Sequence, residues 1–276
     1  MSRSKVSTTT KSVKRKSSAA PKPTTARKTA TSRAPARRAA AGEPVRKGVG
    51  PRRKRTISAV GFIGEVARKM SESPSIRAIY DGRLDEGFRE QLMVAVAFQN
   101  RAPYCNWGHR NWASLAGISD EELGKIEKLH LDEIDPEVAT AVIYVRALVS
   151  SEWQDAPRDL RQQMHEYFTW REIEDIELIA RAMDVSNRAG NTWDAMLSRL
   201  QGRPIEDSDL LSEIIFSYLF LCILPNRLHK VSRLTGVSVL GTALGLVSHV
   251  LQFNRRETPL VPVDKYEGIT NDPNKD

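Results

Sequence analysis

Residues 88–109 read FREQLMVAVAFQNRAPYCNWGH. From Phe88 to Gln99 the run is almost continuously apolar and rich in alanine. It is too long for a typical strand, so it predicts a buried helix. Pro103 sits where a second helix would start, because its missing N–H is one that a helix start leaves unpaired anyway. That places Cys105 in a first turn, where free backbone N–H groups and the helix dipole favour a thiolate. His109 lies four residues on and shares the face of Cys105. Glu90 lies on the preceding apolar helix, which can fold back against this one. A thiol, a histidine base and an acidic orienting group are the parts of an activated nucleophile.

Outward from this stretch every readable segment is helical. Residues 58–70 (SAVGFIGEVARKM) carry apolar side chains at helical spacing, and 81–87 (DGRLDEG) form a turn leading into the buried helix. Ser119 and Glu122 make an S-x-x-E capping box that opens a short amphipathic helix to about His130. Pro136 starts another helix through VATAVIYVRALVS. Thr169 and Glu172 form a second box, before a long helix expected to run to about Ser186. No hairpin signal competes, so the fold class is all-α.

The charge is divided unevenly. Residues 1–56 hold 18 Lys/Arg against the single acid Glu43, whereas residues 57–276 carry a net charge of about −9. A segment of Ser, Thr, Ala, Pro, Lys and Arg with nothing to bury is expected to be disordered. Its clusters KSVKRK and PRRKR suit nucleic acid or another polyanion through salt-dependent contacts. They equally suit a solvated arm. The tail is Arg- and Ser-rich like a transit peptide, but it lacks the Leu or Phe of an apolar helix face. No secretory segment is visible, and two cysteines are too few for a disulfide framework, so a reducing, cytoplasmic setting is expected. His130, His165, His229 and His249 have no metal-ligand spacing, and there is no phosphate loop or serine elbow. Neither a metal nor a cofactor is therefore expected.

Near the C-terminus, LLSEIIFSYLFLCIL (210–224) ends at Pro225, and VSVLGTALGLVSHVL (237–251) follows. Each is short of the ~20 residues that span a bilayer. Two buried helices, or an oligomer interface, are the simpler reading. The other is a membrane-associated hairpin anchored by Arg227, Lys230 and Arg233. There is also an internal echo: Glu90 precedes Asn100-Arg101-Ala102 by ten residues, as Glu177 precedes Asn187-Arg188-Ala189. The second copy has neither cysteine nor histidine, so at most one copy carries chemistry.

The stretch resembles the carboxymuconolactone decarboxylase and alkylhydroperoxidase D-like superfamily. The signature of that family is Glu, eleven residues, Cys-x-x-Cys, three residues, His. Here Glu90, Tyr104, Cys105 and His109 fit, and Ala102 stands where the family has its first cysteine. GISDEELGKIE and REIEDIELIARAMDVSNRAGNTWDAML are similar to later helices of the family. The resemblance implies an alkylhydroperoxidase D-like helical domain over 57–205, with a helical extension at 206–256 and a polar end at 257–276. It also implies assembly through helices as a homo-oligomer, which the apolar extension suits; membrane association is not expected.

Two chemistries follow from the resemblance. In the first, family members cycle an intramolecular disulfide between the two motif cysteines. Without a thiol at position 102, oxidised Cys105 stops at a sulfenic acid and needs an external thiol. Cys222 lies in an apolar helix and reads as a core residue. The leading expectation is thus an alkylhydroperoxidase-like, peroxide-reducing protein, with Cys105 as nucleophile, His109 as its base and Glu90 orienting the histidine. In the second, Glu90 and His109 move a proton next to a carbonyl of a small organic acid, as a decarboxylase-like lyase with Cys105 a bystander. Tyr104 and Trp107 are candidates to line the substrate site, and Arg101 and Arg110 to bind its anionic group. A third reading is a catalytically silent scaffold whose basic tail binds a polyanion.

Overall fold

Asp85 caps the helix that decides the fold, its carboxylate accepting from the Phe88 N–H at 3.0 Å. The computed structural model describes residues 54–72, 83–153 and 158–259, and among these residues this helix is the second of nine. They are α1 (Ala59–Glu72), α2 (Glu86–Gln99), α3 (Pro103–Leu115), α4 (Asp120–Lys128), α5 (Pro136–Ser150), α6 (Arg158–Tyr167), α7 (Trp170–Leu200), α8 (Leu210–Thr235) and α9 (Val239–Phe253). No strand occurs among the described residues, so the fold is all-α. All of them belong to one unit, residues 44–276.

α2 is apolar all round because it is covered all round. It packs against α3, α4, α5 and α7, and Leu92, Val94, Ala95, Val96 and Ala97 are fully buried. Burying a Leu or Val of this kind contributes roughly 1.5–3 kcal/mol. The turn out of α2 uses Arg101 in the left-handed region, φ 54°. Pro103 then starts α3 with no side-chain cap. The two helices form an αα-hairpin, which brings one face of α3 back onto α2. Arg146 of α5 fastens the far side of this layer, fully buried. Its Nε donates to Gln99 Oε1 at 2.9 Å, and its Nη1 donates to the Ile126 and Glu127 carbonyls at 3.2 and 3.0 Å. Burial lowers Arg146 to about 9, with Glu127 opposing.

Several boundaries differ from the sequence reading. At α4 only half of the capping box forms: Ser119 Oγ accepts from the Glu122 N–H at 3.1 Å, but the Glu122 carboxylate accepts from Gln91 instead. The box at Thr169 and Glu172 is complete. α7 does not end near Ser186 but runs on to Leu200. Its polar SNRAGN stretch reads as a stop only while its partners are unknown. Asn191 Nδ2 donates to the carbonyls of Arg55 and Asn100, both at 3.0 Å, so the amide is used between segments and not as a cap. α8 likewise continues through Pro225. The carbonyl that loses its partner there belongs to Leu221, which is exposed, so water can satisfy it.

The basic tail was expected to extend to residue 56, with Lys54 and Arg55 in a polyanion-binding cluster. Both are instead drawn into the fold by acids of α7: Lys54 pairs with Asp194, and Arg55 with Asp184. The Ile57 N–H donates to Thr192 Oγ1 at 3.0 Å, and the Ala59 N–H to Ser212 Oγ at 2.9 Å. Burial and the neighbouring charge of Arg101 lower Lys54 to about 8. The KSVKRK cluster and the expectations for residues 1–53 lie outside the described residues.

The C-terminal helices divide by face. Phe216, Val231, Leu246 and Phe253 are buried, so the inner faces of α8 and α9 do complete the core. Their outer faces do not. Leu211, Ile215 and Tyr218 of α8 are exposed, as are Leu240, Leu244, Val247 and Leu251 of α9. Among the described residues only α8 is long and apolar enough to cross a membrane. Beyond α9 the chain stays attached, with Arg256 Nη1 donating to Glu127 Oε2 at 2.9 Å and Thr258 buried.

Candidate functional site

The α2–α3 hairpin sets Glu90 opposite His109. His109 Nδ1 lies 2.6 Å from Glu90 Oε2, with the Glu90 side chain 7% exposed and that of His109 27% exposed. A buried carboxylate facing Nδ1 selects the tautomer that carries its hydrogen there. The lone pair is then on Nε2. The expected histidine and acidic partner are therefore in contact.

Cys105 lies one turn before His109 on α3, and its neighbours there are Ser186 and Gly190 of α7. It is half-buried and packs against the main core, and a Cβ added at Gly190 of α7 would lie 3.7 Å from its Sγ. Its position in the first turn of α3 was expected to favour a thiolate. The structure opposes this: burial pushes the thiol from 9.0 up to about 11, against a hydrogen bond with Ser186 and the positive charge of Arg227. Desolvation of the charged form outweighs the helix start. Cys222 was read as a core residue; it is exposed.

The four expected substrate contacts have separate fates. The Tyr104 hydroxyl donates to Asp194 Oδ1 at 3.1 Å, and its ring meets Phe220 of α8 edge-on, centroids 5.0 Å apart. Burial raises its pKa. Trp107 is half-buried, and its carbonyl accepts from Asn111 Nδ2 at 2.7 Å. Arg110 is occupied: it pairs with Glu127 at 2.9 Å and Asp120 at 2.8 Å. A guanidinium already neutralised by two carboxylates has little left to offer a substrate anion. Arg101 sits in the α2–α3 turn beside Lys54.

Other groups at the site went unnoticed in the sequence. Trp112, one turn beyond His109, has its ring centroid 6.3 Å from the imidazole. Arg227 and Lys230 of α8 lie against that indole, 5.5 and 5.4 Å from its centroid. The i+3 spacing from His109 could have flagged Trp112; nothing local could have placed α8 over it. A buried polar cluster closes the back of the turn. Asn100 Nδ2 donates to Asp184 Oδ1 at 2.9 Å, Trp153 Nε1 to Asp184 Oδ2 at 3.3 Å, and Arg188 pairs with Asp184 at 3.2 Å. The echoed Asn100 and Asn187–Asn191 segments are thus neighbours. Glu177, the counterpart of Glu90, accepts from the Tyr144 hydroxyl.

Among the described residues no three His, Cys, Asp or Glu side chains are grouped to hold a metal ion. A shallow acidic recess of about 330 Å³ on α4 is lined by Glu121, Glu122, Lys125 and Asp135, and includes none of Glu90, Cys105 or His109. In comparisons with family models, curated proteins and solved structures, nothing matches this chain.

Proposed function

We propose that the chain is a non-redox acid–base enzyme of lyase type, in which Glu90 and His109 move a proton at a carbon next to a carbonyl. The observation that carries this is the 2.6 Å contact between the buried Glu90 carboxylate and His109 Nδ1. His109 Nε2 takes the proton, the electron pair of the C–H bond moves into the carbonyl as an enolate, and Glu90 stabilises the imidazolium that forms. Return of the proton to carbon restores both groups. In a decarboxylation the C–C bond breaks to release CO₂, its electrons enter the same carbonyl, and a proton that His109 Nε2 has first taken from water is passed to the carbon that lost the carboxyl group. No electron acceptor is consumed. A positioned acid–base group of this kind contributes roughly 10²–10⁴-fold to rate.

The motif's resemblance to the carboxymuconolactone decarboxylase and alkylhydroperoxidase D-like superfamily fits this reading on its decarboxylase side, where Ala102 costs nothing. The peroxide-reducing alternative needs a Cys105 thiolate and an external thiol. Burial instead keeps that sulfur protonated through neutral pH. The test is a screen of small 2-oxo, 3-oxo and lactone acids with Glu90→Gln, His109→Gln and Cys105→Ser. The first two are expected to lose about 10²-fold or more, and Cys105→Ser to stay close to wild type. Loss of turnover in Cys105→Ser with activity kept in His109→Gln would overturn the proposal in favour of the thiol reading.

A further inference from the structure

From Ile214 to Arg256 the chain contains no acidic residue but five cations: Arg227, Lys230, Arg233, Arg255 and Arg256. The remainder of the helical body is acidic, and its cations are mostly spent on it. Arg110 meets Glu127 and Asp120, Arg199 meets Glu213, and Arg256 meets Glu127. Arg227 and Lys230 are exposed, and neither meets a carboxylate among the described residues. Two like charges three residues apart on one helix repel unless an anion joins them.

Their position relative to α3 is set by two independent relationships. Both lie against the Trp112 ring, and the charge of Arg227 also reaches the Cys105 thiol. Cys105, His109 and Trp112 are spaced four and three residues apart, so they form one stripe along α3 with His109 in the middle. The His109 ring is 6.3 Å from the Trp112 ring, so the indole under these cations is the next ring along the stripe from the imidazole. Phe220, one helical face N-terminal to these cations, packs on Tyr104 and on Trp193, at 5.0 Å in each case, and holds α8 in that register.

We propose that Arg227 and Lys230, held over Trp112, bind the anionic group of the substrate at the mouth of the Glu90–His109 site. This rests on the acid–base reading of that site and adds the substrate class: a small molecule bearing a carboxylate or phosphate next to its reacting carbon. It also gives the C-terminal extension a part in the site, which is incomplete without α8. Arg110, by contrast, already meets Glu127 and Asp120.

The experiment uses the full chain with ¹³C- and ¹⁵N-labelled histidine, titrated separately with succinate and with inorganic phosphate. Following the His109 ring signals isolates this site from any anion binding by the basic tail. One anion is expected to shift those signals in wild type and in Glu90→Gln. Arg227→Gln/Lys230→Gln should weaken the response at least tenfold, with Arg227→Lys retaining it and the melting temperature unchanged. Succinate acting at the lower concentration marks a carboxylate, and phosphate acting first marks a phosphate ester. An equal response in the double variant, or none in wild type to either anion, overturns the proposal. Failure of the acid–base reading looks different: anion binding persists and still depends on Arg227 and Lys230, while Glu90→Gln and His109→Gln leave turnover intact.

Discussion

His109 Nδ1 and Glu90 Oε2 are 2.6 Å apart across two helices joined by a three-residue turn, and the acid is the more deeply buried of the two. A carboxylate that has given up water for one imidazole N–H holds that ring in a single tautomer. The ¹⁵N spectrum of His109 should therefore show hydrogen on Nδ1 and a bare Nε2 at pH 8. In Glu90→Gln that preference should weaken. A spectrum with hydrogen on Nε2 in wild type would remove the base from the mechanism.

Cys105 should be a slow nucleophile. In a Cys222→Ala background, its iodoacetamide rate should stay low through pH 8 and rise toward pH 11, following the raised thiol. The linkage has a definite sign. An unfolded chain ionises this thiol near 9.0 while the folded one keeps its proton to about 11, so stability falls as pH rises through that window. Rapid alkylation at pH 7 would show an accessible thiolate and restore the redox chemistry.

His249 governs the acid side. Its Nε2 is buried with no hydrogen-bond partner among the described residues, and burial together with Arg256 and Arg110 lowers it to about 4, with Asp120 opposing. An unfolded chain protonates this histidine near 6.5, before the folded one does. Stability should thus be lost as pH falls from 6.5 toward 4. Urea midpoints at pH 7 and pH 5 should differ less in His249→Gln than in wild type. An identical pH dependence in both would place the acid sensitivity elsewhere.

Arg146 should tolerate almost nothing. Truncation to Ala leaves Gln99 Oε1 and two backbone carbonyls of α4 without their donor in a closed interior. Leaving a buried acceptor without its donor costs roughly 1–3 kcal/mol. Chemical denaturation of Arg146→Ala should show a loss of this order, and a change below ~1 kcal/mol would mean that water reaches the site.

The outer stripe of α9 predicts association. Leu240, Leu244, Val247 and Leu251 are 56–71% exposed at spacings of four, three and four residues, the pattern by which helices pair. Sedimentation should find the wild type as a homo-oligomer and Leu240→Lys/Leu244→Lys as a folded, smaller species. A monomeric wild type would leave the stripe without this role.

The sequence was most readable where physics is local. The length and alanine content of residues 88–99 were enough for α2, Pro103 for the start of α3, and Thr169 with Glu172 for the start of α7. Glu90 and His109 were legible because two helices joined by so short a turn have few ways to pack. The failures share one cause: a property decided by a distant segment. The end of α7 reads as near Ser186 while the partners of Asn191, at Arg55 and Asn100, are unknown, and Pro225 reads as an end until Leu221 is seen to face water. Cys105 reads as a thiolate until the core around it is counted. Arg227 and Lys230 read only as anchors of a membrane-associated hairpin because Trp112 lies more than a hundred residues earlier.

α8 carries both the apolar stripe of Leu211, Ile215 and Tyr218 and, past Pro225, the two cations that meet Trp112. Were the α8 stripe to join the α9 stripe in an oligomer contact and the cations to bind an anion as proposed, assembly and ligand capture would share one rod. A contact that tilts its first half also moves the guanidinium and ammonium groups above the indole. By thermodynamic reciprocity, a contact at the first half that changes anion affinity at the second would be changed in turn by the anion, by the same factor. Association and anion binding would then be two readouts of the position of a single helix.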